Sequence, residues 1–143
     1  MEKILVAMGP SRPHLSAGIH ALNLAKRISA KVLFLLVFPS PSKSVKNAVK
    51  KSEAAVKKSA QALIEEARSE GIIVDYYLTH GDYESELVSF VQEKKITLLI
   101  VECPVGHGNA AEASRDLLDK LRHRINCRIE VVNEKPETPE RKE

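Results

Sequence analysis

Residues 31–38 read Lys31-Val32-Leu33-Phe34-Leu35-Leu36-Val37-Phe38, an unbroken apolar run behind a single lysine. A strand with one wet face alternates apolar and polar residues, so a run of this kind predicts a strand covered on both faces, as in a parallel sheet between helices. Pro39-Ser40-Pro41-Ser42 ends it. Upstream, Leu15, Ile19, Leu22, Ala25 and Ile28 recur at helical spacing with Ser11 nearby as an N-cap, which predicts a helix of about four turns. Before that helix, Lys3 to Met8 reads as a first strand, broken off by Gly9-Pro10-Ser11-Arg12-Pro13.

Downstream, Lys43 to Arg68 predicts one long amphipathic helix. Val45, Val49, Val56, Leu63 and Ala67 form its stripe, Lys46, Lys50, Lys57 and Glu65 lie outside it, and Gly71 caps its C-terminus. Ile72 to Thr79 is a third strand. Asp82 is placed to cap a short helix with Leu87, Val88 and Val91 inward, ending at Lys94-Lys95. Strand four is Ile96 to Val101, a loop runs from Glu102 to Asn109, a helix from about Ala111 to Arg124 turns Leu117, Leu118 and Leu121 inward, and strand five is Cys127 to Val132.

Strand and helix thus alternate five times, which implies a three-layer α/β/α domain with a five-stranded parallel sheet and right-handed crossovers. Residues 1–133 form this one domain, and the charged, proline-containing tail 134–143 is expected to be disordered. Ligands of such sheets bind beyond the carboxyl ends of the strands where the strand order reverses, here at the loops Gly9 to Arg12 and Cys103 to Gly108.

Composition narrows the function. The length of 143 residues fits one domain, and 43% hydrophobic against 29% charged residues is the balance of a globular chain, with only 4% aromatic residues so that aliphatic side chains fill the core. A net charge of +3, interspersed rather than clustered, argues against nucleic acid. The apolar runs Val32 to Phe38 and Ile96 to Val101 are far too short to cross a bilayer. The start, Met1-Glu2-Lys3 leading straight into a strand, lacks the pattern of a secretory signal, and with two cysteines a reducing cytoplasm is the expected compartment.

The opening Lys3-Ile4-Leu5-Val6-Ala7-Met8, then Ser11, Ala21-Leu22-Asn23-Leu24-Ala25-Lys26-Arg27 and Ala30-Lys31-Val32, resembles the start of universal stress proteins. Gly81-Asp82 before a short helix, Leu98-Leu99-Ile100-Val101, and Leu121-Arg122-His123 before Cys127 fall in that family's order and spacing, so the resemblance covers residues 3–132. It implies strand order 3-2-1-4-5 and a homodimer often formed through strand five, and the candidate ligand-binding residues are Ala7, Met8, Gly9, Pro10, Ser11, Val37, Cys103, Gly106, His107, Gly108, Arg115 and Asp116, at the place where many members of the family bind ATP. The chain departs from the family's ATP motif. Gly9 stands where an aspartate is expected, Cys103 where the first loop glycine is expected, and Arg115-Asp116 replaces the final glycine and hydroxyl residue, leaving only Gly106 in place. Side chains where glycines let backbone N–H groups meet phosphate block that approach, and Asp116 sets negative charge toward negative charge. Against this, Gly106-His107-Gly108 with Arg12, His14 and Arg115 could still attract an anion.

Other chemistry is thinly supported. Cys103 and His107 would make a thiol with its base, yet no orienting partner is evident. Cys103 and Cys127 belong at opposite ends of neighbouring strands, too far apart for a disulfide. The five histidines show no zinc-ligand spacing, and Lys43, Lys46, Lys50, Lys51, Lys57 and Lys58 read as the solvated face of a helix. In strand five, Arg128-Ile129-Glu130-Val131-Val132 carries charges that mark an edge. Antiparallel pairing of two such edges about Ile129 would set Arg128 opposite Glu130 of the partner subunit. The expected function is a non-catalytic, homodimeric regulatory or binding module of the stress response, acting through an unidentified protein partner, with no cofactor, no nucleic acid and no membrane. Its rivals are a switch that binds ATP or another anion through the altered loop, and a thiol enzyme using Cys103.

Overall fold

A computed structural model describes residues 2–9, 15–38, 47–104 and 109–134. Its elements are β1 (Lys3–Met8), α1 (Leu15–Ile28), β2 (Lys31–Phe38), α2 (Asn47–Ser69), β3 (Ile73–His80), α3 (Tyr83–Lys94), β4 (Leu98–Pro104), α4 (Asn109–Arg124) and β5 (Arg128–Glu134). The strands form one parallel sheet, as the alternation implies, in the order β3-β2-β1-β4-β5 that the resemblance implies.

The apolar run from Val32 to Phe38 sits where its composition demands. Every residue from Val32 to Phe38 is buried, with Val32, Phe34, Leu36 and Phe38 in the core under α1 and α2 and Leu33, Leu35 and Val37 in the core under α3 and α4. Helix α1 corrects the sequence reading. Ile19 and Ile28, expected on its inner stripe, are each 49% exposed, whereas Ala17, Ala21, Leu22 and Ala25 are buried. The inner face is built from small residues, and Gly18 shows why: a Cβ there would lie 3.2 Å from Met8 Cε and 3.3 Å from Leu63 Cδ1. The helix lies so near the sheet that isoleucines fit only outside. In α2 the buried residues are Val56, Ala60, Ile64 and Ala67, with Leu63 only partly covered.

Three helices end by one device, and it explains where the strands begin. Ser29 (φ 57°), Gly71 (φ 87°) and Lys95 (φ 56°) take the left-handed conformation. The N–H of the next residue then reaches back: Ala30 to Ala25 O at 3.1 Å, Ile72 to Ala67 O at 3.1 Å and Ile96 to Val91 O at 3.1 Å. This is the Schellman closure, with a buried apolar residue at its second outside position. Ile72 and Ile96, expected to open strands three and four, are thereby spent closing helices, so the strands start at Ile73 and Leu98. Strand β4 runs on to Pro104, and β5 follows it to Glu134, pairing Cys103 with Asn133 and Pro104 with Glu134. The sheet therefore extends one residue into the segment expected as tail. Residues 135–143 lie outside the described residues.

Helix α3 begins as expected. Asp82 adopts an extended N-cap conformation and its carboxylate accepts from Ser85 N–H at 3.0 Å. That bond holds the Asp82 carboxyl below its usual range. No described helix is long and apolar enough to cross a membrane.

Candidate functional site

The sheet parts at its carboxyl end. Strands β1 and β4 pair at Ile4–Leu98, Leu5–Leu99 and Val6–Ile100. Beyond that point β1 stays with β2 as far as Met8–Leu36, while β4 stays with β5 to Pro104–Glu134. The opening falls at the reversal of strand order, where this class of sheet holds its ligands. Ala7, Met8 and Gly9 flank it on one side and Cys103, through its backbone, stands at the end of the strand on the other. Val37 lies behind Gly9 at the end of β2.

Two side chains that sequence reasoning did not single out reach into this region. Tyr83, the first residue of α3, donates a long hydrogen bond of 3.3 Å from its hydroxyl to the Ala7 carbonyl. Along β1, Lys3 O accepts from Thr97 N–H, so odd-numbered groups turn toward β4 and the Ala7 carbonyl points to the opening. Glu102 comes from the opposite side: its Oε1 accepts from the N–H of Ala17, the third residue of α1, at 3.0 Å. A carboxylate on one of the first N–H groups of a helix satisfies a donor with no intrahelical partner and meets the positive end of the dipole. Glu102 is thus an N-cap delivered from a distant strand. The signal was a carboxylate ending the apolar run Leu98 to Val101.

Gly9 is held by close approach. A Cβ at this position would lie 2.9 Å from the Val37 carbonyl oxygen and 3.9 Å from the Tyr83 ring. A larger residue requires the ends of β1 and β2 to move apart. Arg115 and Asp116 are exposed on α4. Of the remaining candidates, Pro10, Ser11, Gly106, His107 and Gly108 lie outside the described residues, as do Arg12 and His14.

The other chemistry can be located too. In register, Cys103 stands level with Asn133, six residues up β5 from Cys127, roughly 20 Å away along a strand. A disulfide within one chain is out of reach. Burial raises the Cys127 thiol above its ordinary value, which disfavours the thiolate. Among the described residues no group of three or more His, Cys, Asp or Glu side chains is arranged to hold a metal ion. At β5 Arg128 binds Glu2 at 2.7 Å, and Glu130 bonds to His20 of α1, so these two charges have partners within the chain.

A protein-family model described as the universal stress protein family matches residues 1–132. The chain belongs to the universal stress protein family. Solved structures agree in fold. A universal stress protein in complex with cAMP superposes with a TM-score of 0.67 at 18% identity, covering 92% of this chain and 96% of that one. The protein from Archaeoglobus fulgidus in complex with dAMP gives 0.63 at 16% identity, covering 92% and 97%. A family protein from Arabidopsis thaliana with AMP bound gives 0.62 at 14% identity, covering 94% and 93%. No curated protein sequence matches. The superpositions establish a shared fold for this universal stress protein, while the bound nucleotides belong to those relatives.

Proposed function

We propose that this universal stress protein is a regulatory module of the stress response that works by binding protein partners, without catalysis and without holding an adenine nucleotide as its relatives do. The observation that carries the reading is the Glu102 carboxylate at the N-terminus of α1. It sets a negative charge and a filled hydrogen bond beside the opening where an anionic ligand would seek backbone N–H groups. Tyr83 on the Ala7 carbonyl supports it from the other side, and a Cβ at Gly9 would lie only 2.9 Å from the Val37 carbonyl oxygen, which leaves the aspartate of the ATP motif no room without rearrangement.

Mass spectrometry of whatever is released from purified, undialysed protein tests this. Absence of bound nucleotide is expected, and near-stoichiometric adenine nucleotide would overturn the reading. The second reading, a nucleotide switch with a modified contact set, is favoured by relatives crystallised with cAMP, dAMP and AMP. The same measurement separates the two.

The homodimer belongs to the proposal. Strand β5 is an edge, and Arg128, Ile129, Glu130, Val131 and Val132 would pair antiparallel with the same strand of a second copy. Because Arg128 and Glu130 already bind Glu2 and His20, cross-strand pairing must share or release those contacts.

A further inference from the structure

The sheet has a second edge, β3. We propose that its outer side is a docking edge for an extended segment of a partner protein, one with basic residues between apolar ones, which adds to the sheet as a further strand. The inference rests on the reading of this chain as a partner-binding module.

The backbone supplies the first argument. Gly81 N–H bonds to Phe38 O at 2.9 Å and so turns toward β2. By alternation the groups of Ile73, Asp75, Tyr77 and Thr79 turn the same way, and those of Val74, Tyr76, Leu78 and His80 turn outward. The Val74 carbonyl is covered by Arg68 Nη2 at 2.7 Å, which agrees with that assignment. Tyr76 and Leu78 therefore present outward N–H and C=O groups beyond the reach of β2, and among the described residues no strand pairs with them.

Second, the defence of this edge is confined to one end, where Arg68 covers the Val74 carbonyl. Edge strands are ordinarily protected by outward charge, proline or a bulge. Strand β3 pairs with β2 in unbroken register over all eight residues from Ile73 to His80. Its one acidic or basic residue other than His80 is Asp75, and that carboxylate is tied back to Lys31 of β2 at 2.7 Å. Two of the exposed large apolar residues lie here, Ile73 at 52% and Leu78 at 37% exposure.

Charge complementarity identifies the occupant. Side chains of an added antiparallel strand share a face with the residues opposite them. On the α2 side they would meet Tyr76 and Leu78, which suit apolar residues. On the α3 side lies a groove of about 240 Å3 lined by Tyr77, Phe90, Glu86, Glu93 and Lys94. The Lys94 ammonium is already drawn over the Tyr77 ring at 4.9 Å from its centroid, and Glu86 accepts from the Thr79 hydroxyl at 2.6 Å. Two carboxylates against the one Lys94 ammonium, whose charge the ring contact leaves in place, give the groove a net negative charge that favours a cation among the incoming side chains. Main-chain hydrogen bonds would provide adhesion and the alternating side chains selectivity.

The probe is a fluorescent peptide, acetyl-Lys-Val-Lys-Val-Lys-amide, titrated into full-length protein and followed by anisotropy, with amide exchange read by NMR. Binding below about 1 mM is expected, at least about tenfold tighter than for the glutamate counterpart of the peptide. Methylating the valine amide nitrogens should abolish it, and protection should appear at Tyr76 and Leu78. Absence of binding at 1 mM on this scale, equal binding of the glutamate or N-methyl peptide, or protection confined to β5 would overturn the proposal. Concentration-dependent protection of Tyr76 and Leu78 without peptide would also overturn it, since a second copy would then occupy the edge. Nucleotide content is measured separately: bound nucleotide would defeat the partner-binding reading, while failure of the peptide would defeat only this choice of edge.

Discussion

The two edges of the sheet meet the same problem in opposite ways. Strand β5 carries Arg128 and Glu130 and ties each to a neighbouring element, through Glu2 ahead of β1 and His20 on α1. Strand β3 turns its single carboxylate inward to Lys31 and leaves Ile73 and Leu78 in water. At β5 charge is tied within the chain, and at β3 the apolar surface left outside is what the proposed docking would cover. If that is right, perturbing the two edges will give effects of different kind.

The largest effect is expected where α4 packs on β4, next to the β5 edge. Leu121 of α4 is 1% exposed, and Leu121→Ala should cost about 2–5 kcal/mol in urea unfolding. Leu78→Ala on β3 should cost about 1 kcal/mol or less, because much of that side chain already meets solvent. Equal costs would erase the distinction between structural and spare apolar surface.

The exit from β3 should respond next. Asp82→Ala removes the N-cap of α3 and should cost about 1 kcal/mol at pH 7. The Asp82 carboxyl is held below its ordinary value of 3.8, mainly by the Ser85 N–H. Its contribution is therefore complete above that value and is lost as pH falls through the depressed one. Stability curves of wild type and Asp82→Ala should converge below about pH 4, while Asp82→Asn should keep the cap and show no such convergence.

At β5 the expected effect is smaller. Glu130→Arg should weaken the dimer by about 0.2–1 kcal/mol for each cross-strand pair, and adding Arg128→Glu should recover much of the loss in sedimentation equilibrium. His20→Ala should lower monomer stability by under about 1 kcal/mol, since its side chain and that of Glu130 are 37% and 42% exposed. A dimer indifferent to both Glu130→Arg and the added Arg128→Glu would remove β5 from the interface. Smallest of all, deletion after Glu134 should leave thermal stability unchanged, because among the described residues the sheet pairing ends at Pro104–Glu134.

The fold was readable because its signals are strong and local: the uninterrupted run at Lys31 to Phe38, the Asp82 cap, and glycine at the end of α2. Errors fell where tertiary distance overrides periodicity. Ile19 and Ile28 match a helical stripe perfectly well, but only the alanine face can approach the sheet as closely as Gly18 does. Strand starts slipped because Ile72 and Ile96 look like strand residues and serve as helix closures. The candidate site was legible only in outline. Gly9 and the substituted loop could be read against the family pattern, whereas Glu102 binding Ala17 and Tyr83 binding Ala7 join residues 85 and 76 positions apart. No local pattern announces contacts at that separation.

The central claim is that the opening between β1 and β4 is closed to adenine nucleotides by the chain's own side chains. Isothermal titration of the full-length protein with ATP and with AMP addresses it most directly, with Gly9→Asp as a parallel sample. No saturable heat is predicted for wild type or variant at micromolar nucleotide. Stoichiometric binding of either nucleotide by the wild-type protein would contradict the account.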